Sequence, residues 1–216
     1  MKSIFITATN TDIGKTYATL LLLEEFAKRG YKVGAFKPIE TGVISVASDG
    51  LKLLKKCKKL NSSFEKVTIE DIVPITFSLP ASPFVAKKET KIDFEKITKS
   101  FQKVSQLCDI VLIEGAGGLL VPVEENFFMI DFIDFFKAVT LLVTHDRLGC
   151  INDTLLNINM LENIKKPYIW CINERENFPN FKKTTLPYYR YKFQQVLYLQ
   201  RNIETVANNL LNISFH

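Results

Sequence analysis

Histidine is scarce in this chain, with two among 216 residues, and the four cysteines stand far apart at Cys57, Cys108, Cys150 and Cys171. No cysteine pair has the spacing of a metal knuckle or a CxxC redox motif, and two histidines leave a zinc site short of donors. Reduced thiols are the expectation. Long apolar runs are missing as well. Ile4-Phe5-Ile6, after Met1-Lys2, is far too short for a secretory signal. The most hydrophobic stretch, Phe127 to Val143, is broken by Asp131, Asp134 and Lys137, which argues against a membrane span. Nor is there a linker, repeat or low-complexity tract to divide the chain. These absences leave one soluble, cytoplasmic domain over residues 1–216 as the expectation, with no membrane partner.

Charge excludes little, but its pattern is informative. The formal net charge is +5, with 47% hydrophobic and 24% charged residues, as in an ordinary globular protein. Lys52, Lys55, Lys56, Lys58 and Lys59 look at first like a nucleic-acid patch. Leu53, Leu54, Cys57 and Leu60 interleave with them at helical spacing, so the run reads as the solvated face of an amphipathic helix. No nucleic-acid partner is expected.

Short apolar runs alternate with helical patterns, which predicts an α/β fold with a mainly parallel sheet and helices on both faces. Strands are expected at Ser3–Thr7, Tyr31–Lys37, Asp109–Glu114, Val139–Thr144 and Pro167–Asn173. Helices are expected at Thr16–Arg29, Asp49–Leu60 and Asn152–Asn163, and one capped by Asp93 with Phe94, Ile97, Phe101 and Val104 as its apolar face. Beyond Asn173 the pattern weakens, and only a closing helix near Ile203–Leu211 is legible. In open sheets of this kind ligands bind at the carboxyl ends of the strands. Those ends are Thr7, Lys37, Glu114, Thr144 and Asn173.

Between the first strand and first helix runs Ala8-Thr9-Asn10-Thr11-Asp12-Ile13-Gly14-Lys15-Thr16. A strand, a turn ending in Gly-Lys-Thr and a helix form the setting a phosphate loop requires, as in P-loop NTPases. Backbone N–H groups and the helix N-terminus attract phosphate oxygens, and Gly14 lets the backbone approach them. Lys15 puts a cation against the β- and γ-phosphates, and the Thr16 hydroxyl can ligate Mg²⁺. Ala8 stands where the usual pattern opens with glycine, so the turn must avoid the left-handed region there. The expected ligand is a nucleoside triphosphate with Mg²⁺.

Two other strand ends carry matching chemistry. Glu114, followed by Gly115-Ala116-Gly117-Gly118, is an acid opposite a phosphate loop and is placed to hold Mg²⁺ directly or through water. Lys37, just before Pro38, supplies a second cation for charge moving between phosphate and acceptor. Asp49 either caps its helix or completes the metal shell.

Taken in order, Thr9 to Thr16, Lys37-Pro38 with Thr41-Gly42, Ser48-Asp49, Glu114 to Gly118 and Leu148-Gly149-Cys150-Ile151-Asn152 resemble the ATP-dependent dethiobiotin synthetase family, from Ile4 to about Asn173. The resemblance implies a ligase that joins CO₂ to 7,8-diaminopelargonic acid and closes a cyclic urea, converting ATP to ADP and phosphate. It implies Lys37 as the catalytic lysine. Asp12, Ile13, Gly14, Lys15, Thr16, Tyr17, Asp49, Glu114, Gly115, Ala116, Gly117 and Asn173 would meet the nucleotide. Thr16, Asp49 and Glu114 would be the metal set. Thr11, Lys37, Thr41 and Gly118 would lie near the diamine. Leu148, Gly149, Cys150 and Asn152 would reach the substrate carboxylate in the other subunit of a homodimer. Asp12 stands where the family commonly has glutamate.

The rival readings differ at particular residues. Partitioning and positioning ATPases carry an extra lysine five residues before the Gly-Lys-Thr lysine, where this chain has Asn10. A cobalamin amidoligase would bring a glutaminase domain with a nucleophilic cysteine after Asn173. A plain kinase is set aside only by the resemblance.

Overall fold

The structure, a computed structural model, describes residues 1–175 and 178–215, without the side chains of residues 178 and 179. Its centre is a five-stranded parallel sheet. In chain order the strands are β1 (Lys2–Ala8), β2 (Val33–Phe36), β3 (Ile110–Glu114), β4 (Val139–His145) and β5 (Tyr168–Asn173). Across the sheet the order is β2-β3-β1-β4-β5, so the phosphate loop leaves the middle strand. Ile4 pairs with Leu112 on one side and Val139 on the other.

The burial pattern explains why these segments form interior strands. Ile4, Phe5 and Ile6 in β1 and Val111, Leu112 and Ile113 in β3 have no exposed surface. Successive strand side chains point to opposite faces, so both faces of the sheet are covered. The covering helices include α1 (Lys15–Lys28), α2 (Ser48–Leu60), α3 (Phe94–Ser105), α4 (Cys150–Asn163) and α5 (Ile203–Asn212). In α3 the Asp93 side chain accepts the Lys96 N–H at 2.8 Å, the expected cap. In α2, Leu53, Leu54 and Cys57 are buried while Lys52, Lys55, Lys58 and Lys59 face outward or lie partly covered, as the interleaved lysines predict. All four cysteines are free and buried. Among the described residues no helix is long and apolar enough to cross a membrane.

Where the structure departs from the sequence reading, the cause is tertiary. β2 ends at Phe36 rather than Lys37, because the Lys37 N–H leaves the ladder and donates to Ile72 O at 2.9 Å. Ile39–Thr41 then forms a small parallel pair with Ile75–Phe77, which short apolar content does not reveal. After Asn173 come two short helices, Phe178–Thr184 and Leu186–Lys192. Tyr189 of the second is fully buried against Trp170, and its hydroxyl donates to Cys150 O at 2.9 Å. These helices owe their place to packing rather than to a legible period.

Candidate active site

The phosphate loop takes its shape from two left-handed residues. Gly14, the N-cap of α1, has φ 107, and Asp12 has φ 57. Aspartate tolerates that region better than most residues, a physical reason for the short acid at this position. Ala8 is fully buried at the end of β1 and has no positive φ, so alanine fits where the left-handed turn has not yet begun.

Around this loop lies a cleft of about 540 Å³. Thr11, Asp12, Gly14, Lys15, Thr16, Lys37, Thr41, Asp49, Glu114, Ala116 and Gly117 all line it, so residues scattered over a hundred positions converge. Glu114, 1% exposed, is the hub. Its Oε1 accepts from Thr16 Oγ1 at 2.9 Å and from Lys37 Nζ at 2.7 Å, and its Oε2 accepts from Thr19 Oγ1 at 3.1 Å. Thr19, one turn after Thr16, was not singled out in the sequence; its signal is the threonine spacing along the face of α1.

The cations differ in state. Burial pushes Lys37 downward, but the Glu114 charge and hydrogen bond outweigh it, so its pKa is raised and the ammonium persists. Lys15 is 8% exposed; among the described residues its one direct hydrogen bond goes to the Asn10 carbonyl, at 3.4 Å, with the Glu114, Asp12 and Asp49 charges near it. Burial, with the Lys37 charge adding to it, lowers its pKa to about 8. A buried ammonium whose desolvation outweighs its neighbouring carboxylates is suited to an added anion. Bound phosphate favours the charged form, so MgATP affinity is expected to fall by up to about tenfold per pH unit above pH 8, with proton uptake on binding. Calorimetric titrations from pH 7 to 9.5 in buffers of different ionisation enthalpy measure this; a flat affinity without proton uptake would contradict it.

Asp49 and Glu40 divide a job that the sequence left open. The Glu40 carboxylate, 6% exposed, accepts the N–H of Asp49 at 3.1 Å and of Gly50 at 2.9 Å, and so caps α2. Gly50 is required by close approach, since a Cβ there would lie 2.1 Å from Val73 Cγ2. Asp49 is therefore free of capping and faces the cleft, paired with Lys52 at 2.9 Å. Burial raises the Asp49 pKa, but the Lys52 hydrogen bond and the Lys37 charge hold it below the usual value, so it is ionised. Glu40 was missed because its partners lie nine positions onward, outside any capping-box spacing. Glu40→Ala is expected to destabilise the fold by about 1–2 kcal/mol and to raise the Mg²⁺ concentration needed for half-maximal activity severalfold. Thermal unfolding and a Mg²⁺ titration check both effects; unchanged values would remove Glu40 from the site.

The remaining expected residues lie around this cleft or apart from it. Ile13 is buried beneath the loop, and Gly118 packs against the backbone of Ala8 and Thr9. The Gly115 carbonyl is 3.5 Å from Lys37 Nζ, and Tyr17 is exposed. Asn173 is 2% exposed, donating to Ile13 O at 2.7 Å and accepting from Gln200 Nε2 at 2.7 Å, so it braces the loop from behind. Leu148, Gly149, Cys150 and Asn152 stand outside the main cleft at the start of α4. Leu148 is 92% exposed and borders a neighbouring cleft of about 380 Å³ with Thr11 and Ile13. The Cys150 thiol is buried instead, with its Sγ 4.0 Å from Thr185 Oγ1.

Oxygen donors dominate the metal set expected at Thr16, Asp49 and Glu114. One hydroxyl and two carboxylates suit Mg²⁺, which keeps waters and takes phosphate oxygens for its other positions. Among the described residues there is no cluster of three or more His, Cys, Asp or Glu that could hold a metal ion.

Known proteins share both the fold and the sequence. A family model described as an AAA domain matches residues 2–187. In solved structures the fold is similar to the MinC:MinD cell division protein complex of Aquifex aeolicus, with TM-score 0.54 and 18% identity over 96% of this chain and 85% of that one. It is also similar to a plasmid partition protein of Borrelia burgdorferi, with TM-score 0.55 and 13% identity over 97% and 96%. At such identities the likeness is one of fold. Sequence relatives are much nearer. The ATP-dependent dethiobiotin synthetase BioD of Sulfurovum sp. (strain NBC37-1) is 48% identical over 97% of this chain and 100% of its own length. That of Wolinella succinogenes is 35% identical over 98% and 99%, and that of Helicobacter pylori (strain J99) is 39% identical over 86% and 87%. The chain belongs to the ATP-dependent dethiobiotin synthetase family.

Proposed function

We propose that this protein is an ATP-dependent ligase forming C–N bonds, which carboxylates 7,8-diaminopelargonic acid with CO₂ and closes the ring to dethiobiotin, releasing ADP and phosphate. The observation that carries the reading is the buried Lys37–Glu114 pair beside the buried Lys15, all on one phosphate-loop cleft. A nucleotide-switched binding module needs the loop, but has no use for a second buried lysine in the same cleft.

The residues have separate tasks. Lys15 and the α1 N-terminus hold the β- and γ-phosphates. Thr16, Asp49 and Glu114 would hold Mg²⁺, which would supply charge neutralisation at the transferred phosphoryl group. One substrate amine takes up CO₂ and loses a proton, giving a carbamate. Lys37, in the same cleft as Lys15, stabilises that anion and the γ-phosphoryl group as it passes from ATP to the carbamate oxygen, with ADP as the leaving group. The second amine then attacks the carbonyl carbon of the mixed anhydride, the C–O bond to phosphate breaks, and the cyclic urea closes. Thr41, with Thr11 and Gly118, orients the diamine.

A homodimer is part of the reading. An exposed Leu148 at the open N-terminus of α4, outside the main cleft, supports contact with a second copy and with its substrate's carboxylate. To test the function, ADP release from MgATP is measured with and without diamine and bicarbonate. Turnover should require both; turnover at the same rate without diamine would favour the switch reading.

A further inference from the structure

We propose that Arg175 clamps the α- and β-phosphates of the bound nucleotide, as a cation beyond the phosphate loop. This rests on the nucleotide reading above. The sheet order sets the direction of the cleft: β2 and β3, carrying Lys37 and Glu114, lie on one side of β1, while β4 and β5 lie on the other. Phosphoryl transfer occurs on the Lys37 side, so the nucleoside end extends toward the end of β5. Arg175 stands two residues past that strand and borders the cleft. Its guanidinium leans over the phosphate loop itself, for a Cβ added to Gly14 would lie 3.3 Å from Arg175 Nη2.

Its backbone is fixed and its head is not. Buried Asp146 accepts the Arg175 N–H at 3.0 Å. Just before it, Gln200 accepts the Glu174 N–H at 3.2 Å and donates to Glu174 O at 3.0 Å, and the Glu174 carboxylate pairs with Arg201 at 2.6 Å. Among the described residues no acidic side chain pairs with the Arg175 guanidinium. An anchored main chain with an unpaired guanidinium at the rim of an anion site is pre-organised for phosphate oxygens, which its planar fork can bond in pairs.

The test is direct binding of MgATP and MgADP to the wild-type protein and to Arg175→Ala, Arg175→Lys and Lys15→Ala variants, with thermal unfolding alongside. Arg175→Ala should weaken both nucleotides by the same factor, about tenfold, with the unfolding temperature unchanged because the side chain is exposed. Arg175→Lys should recover only part of that loss. If Lys15→Ala weakens binding and Arg175→Ala leaves both affinities intact, the clamp is wrong while the nucleotide site stands. Loss confined to MgATP would move the contact to the γ-phosphate and overturn the assignment. Failure of the wild-type protein to bind either nucleotide would overturn the nucleotide reading, and the clamp with it.

Discussion

Lys37→Ala is expected to slow dethiobiotin formation by about 10²–10³ while changing MgATP affinity by less than about threefold. The asymmetry follows from position. Lys37 Nζ is held at 2.7 Å by Glu114 in the cleft that Lys15 also lines, and on the proposed reading charge develops beside it during transfer. Lys15 and the loop remain to bind the phosphates of the ground state. An interaction made mainly in the transition state lowers kcat and kcat/KM together. The fold should tolerate the change, because Glu114 keeps its hydrogen bonds from Thr16 and Thr19. Pre-steady-state phosphate release and equilibrium nucleotide binding measure the two quantities separately. Equal losses in both would mean that Lys37 only holds nucleotide.

Glu114→Ala should be the more damaging substitution, for a reason specific to burial. It leaves the Lys37 ammonium, 4% exposed, without its direct ion-pair partner, with the Gly115 carbonyl at 3.5 Å, Lys15 as a like-charged neighbour and only the Asp49 and Glu40 charges to offset it. Breaking a buried pair on that side costs about 3–5 kcal/mol, against a smaller loss for Lys37→Ala. The same change removes a proposed Mg²⁺ ligand and the acceptor that orients the Thr16 and Thr19 hydroxyls. Activity should fall below about 1% of wild type, and the denaturation midpoint should drop further than in Lys37→Ala. The double variant Lys37→Met/Glu114→Ala should regain much of the stability without regaining activity. Denaturant titrations of the three variants decide this. Equal destabilisation by the two single changes would contradict the view of Glu114 as the hub.

Local rules explain which parts of this site could be read in the sequence. Lys15, Thr16, Lys37 and Glu114 sit at strand ends or at a strand–helix turn, positions that apolar runs and a Gly-Lys-Thr tripeptide mark directly. Their convergence on one cleft follows from a parallel sheet, since parallel strands send their carboxyl ends to one edge. Glu40 acts through a partner that only the folded chain supplies, the first turn of α2, and Thr19, marked only by its spacing from Thr16, takes its role from the Glu114 carboxylate. Arg175 was hidden for a similar reason, since nothing local says that a loop after β5 leans back over Gly14. The two helices between Phe178 and Lys192 depend on burying Phe181, Leu186 and Tyr189 against the rest of the core, a tertiary cause without a helical period to announce it.

Asp49 shows how structure resolves an even choice. From sequence, a carboxylate at the start of α2 serves equally as cap or metal ligand. Glu40 occupies the capping N–H groups, so the Asp49 carboxylate is left to the cleft. The phosphate loop is likewise sharpened by what surrounds it, with Asn10 where a second loop lysine would stand in a partitioning ATPase and Lys37 in the same cleft.

The central claim is that the cleft performs carboxylation and ring closure rather than nucleotide switching. The most direct measurement incubates the protein with MgATP, 7,8-diaminopelargonic acid and ¹³C-labelled bicarbonate, and follows the products by mass spectrometry. The expected result is dethiobiotin carrying the label in its ureido carbon, formed in a one-to-one ratio with ADP. ADP accumulating without labelled dethiobiotin would contradict the account.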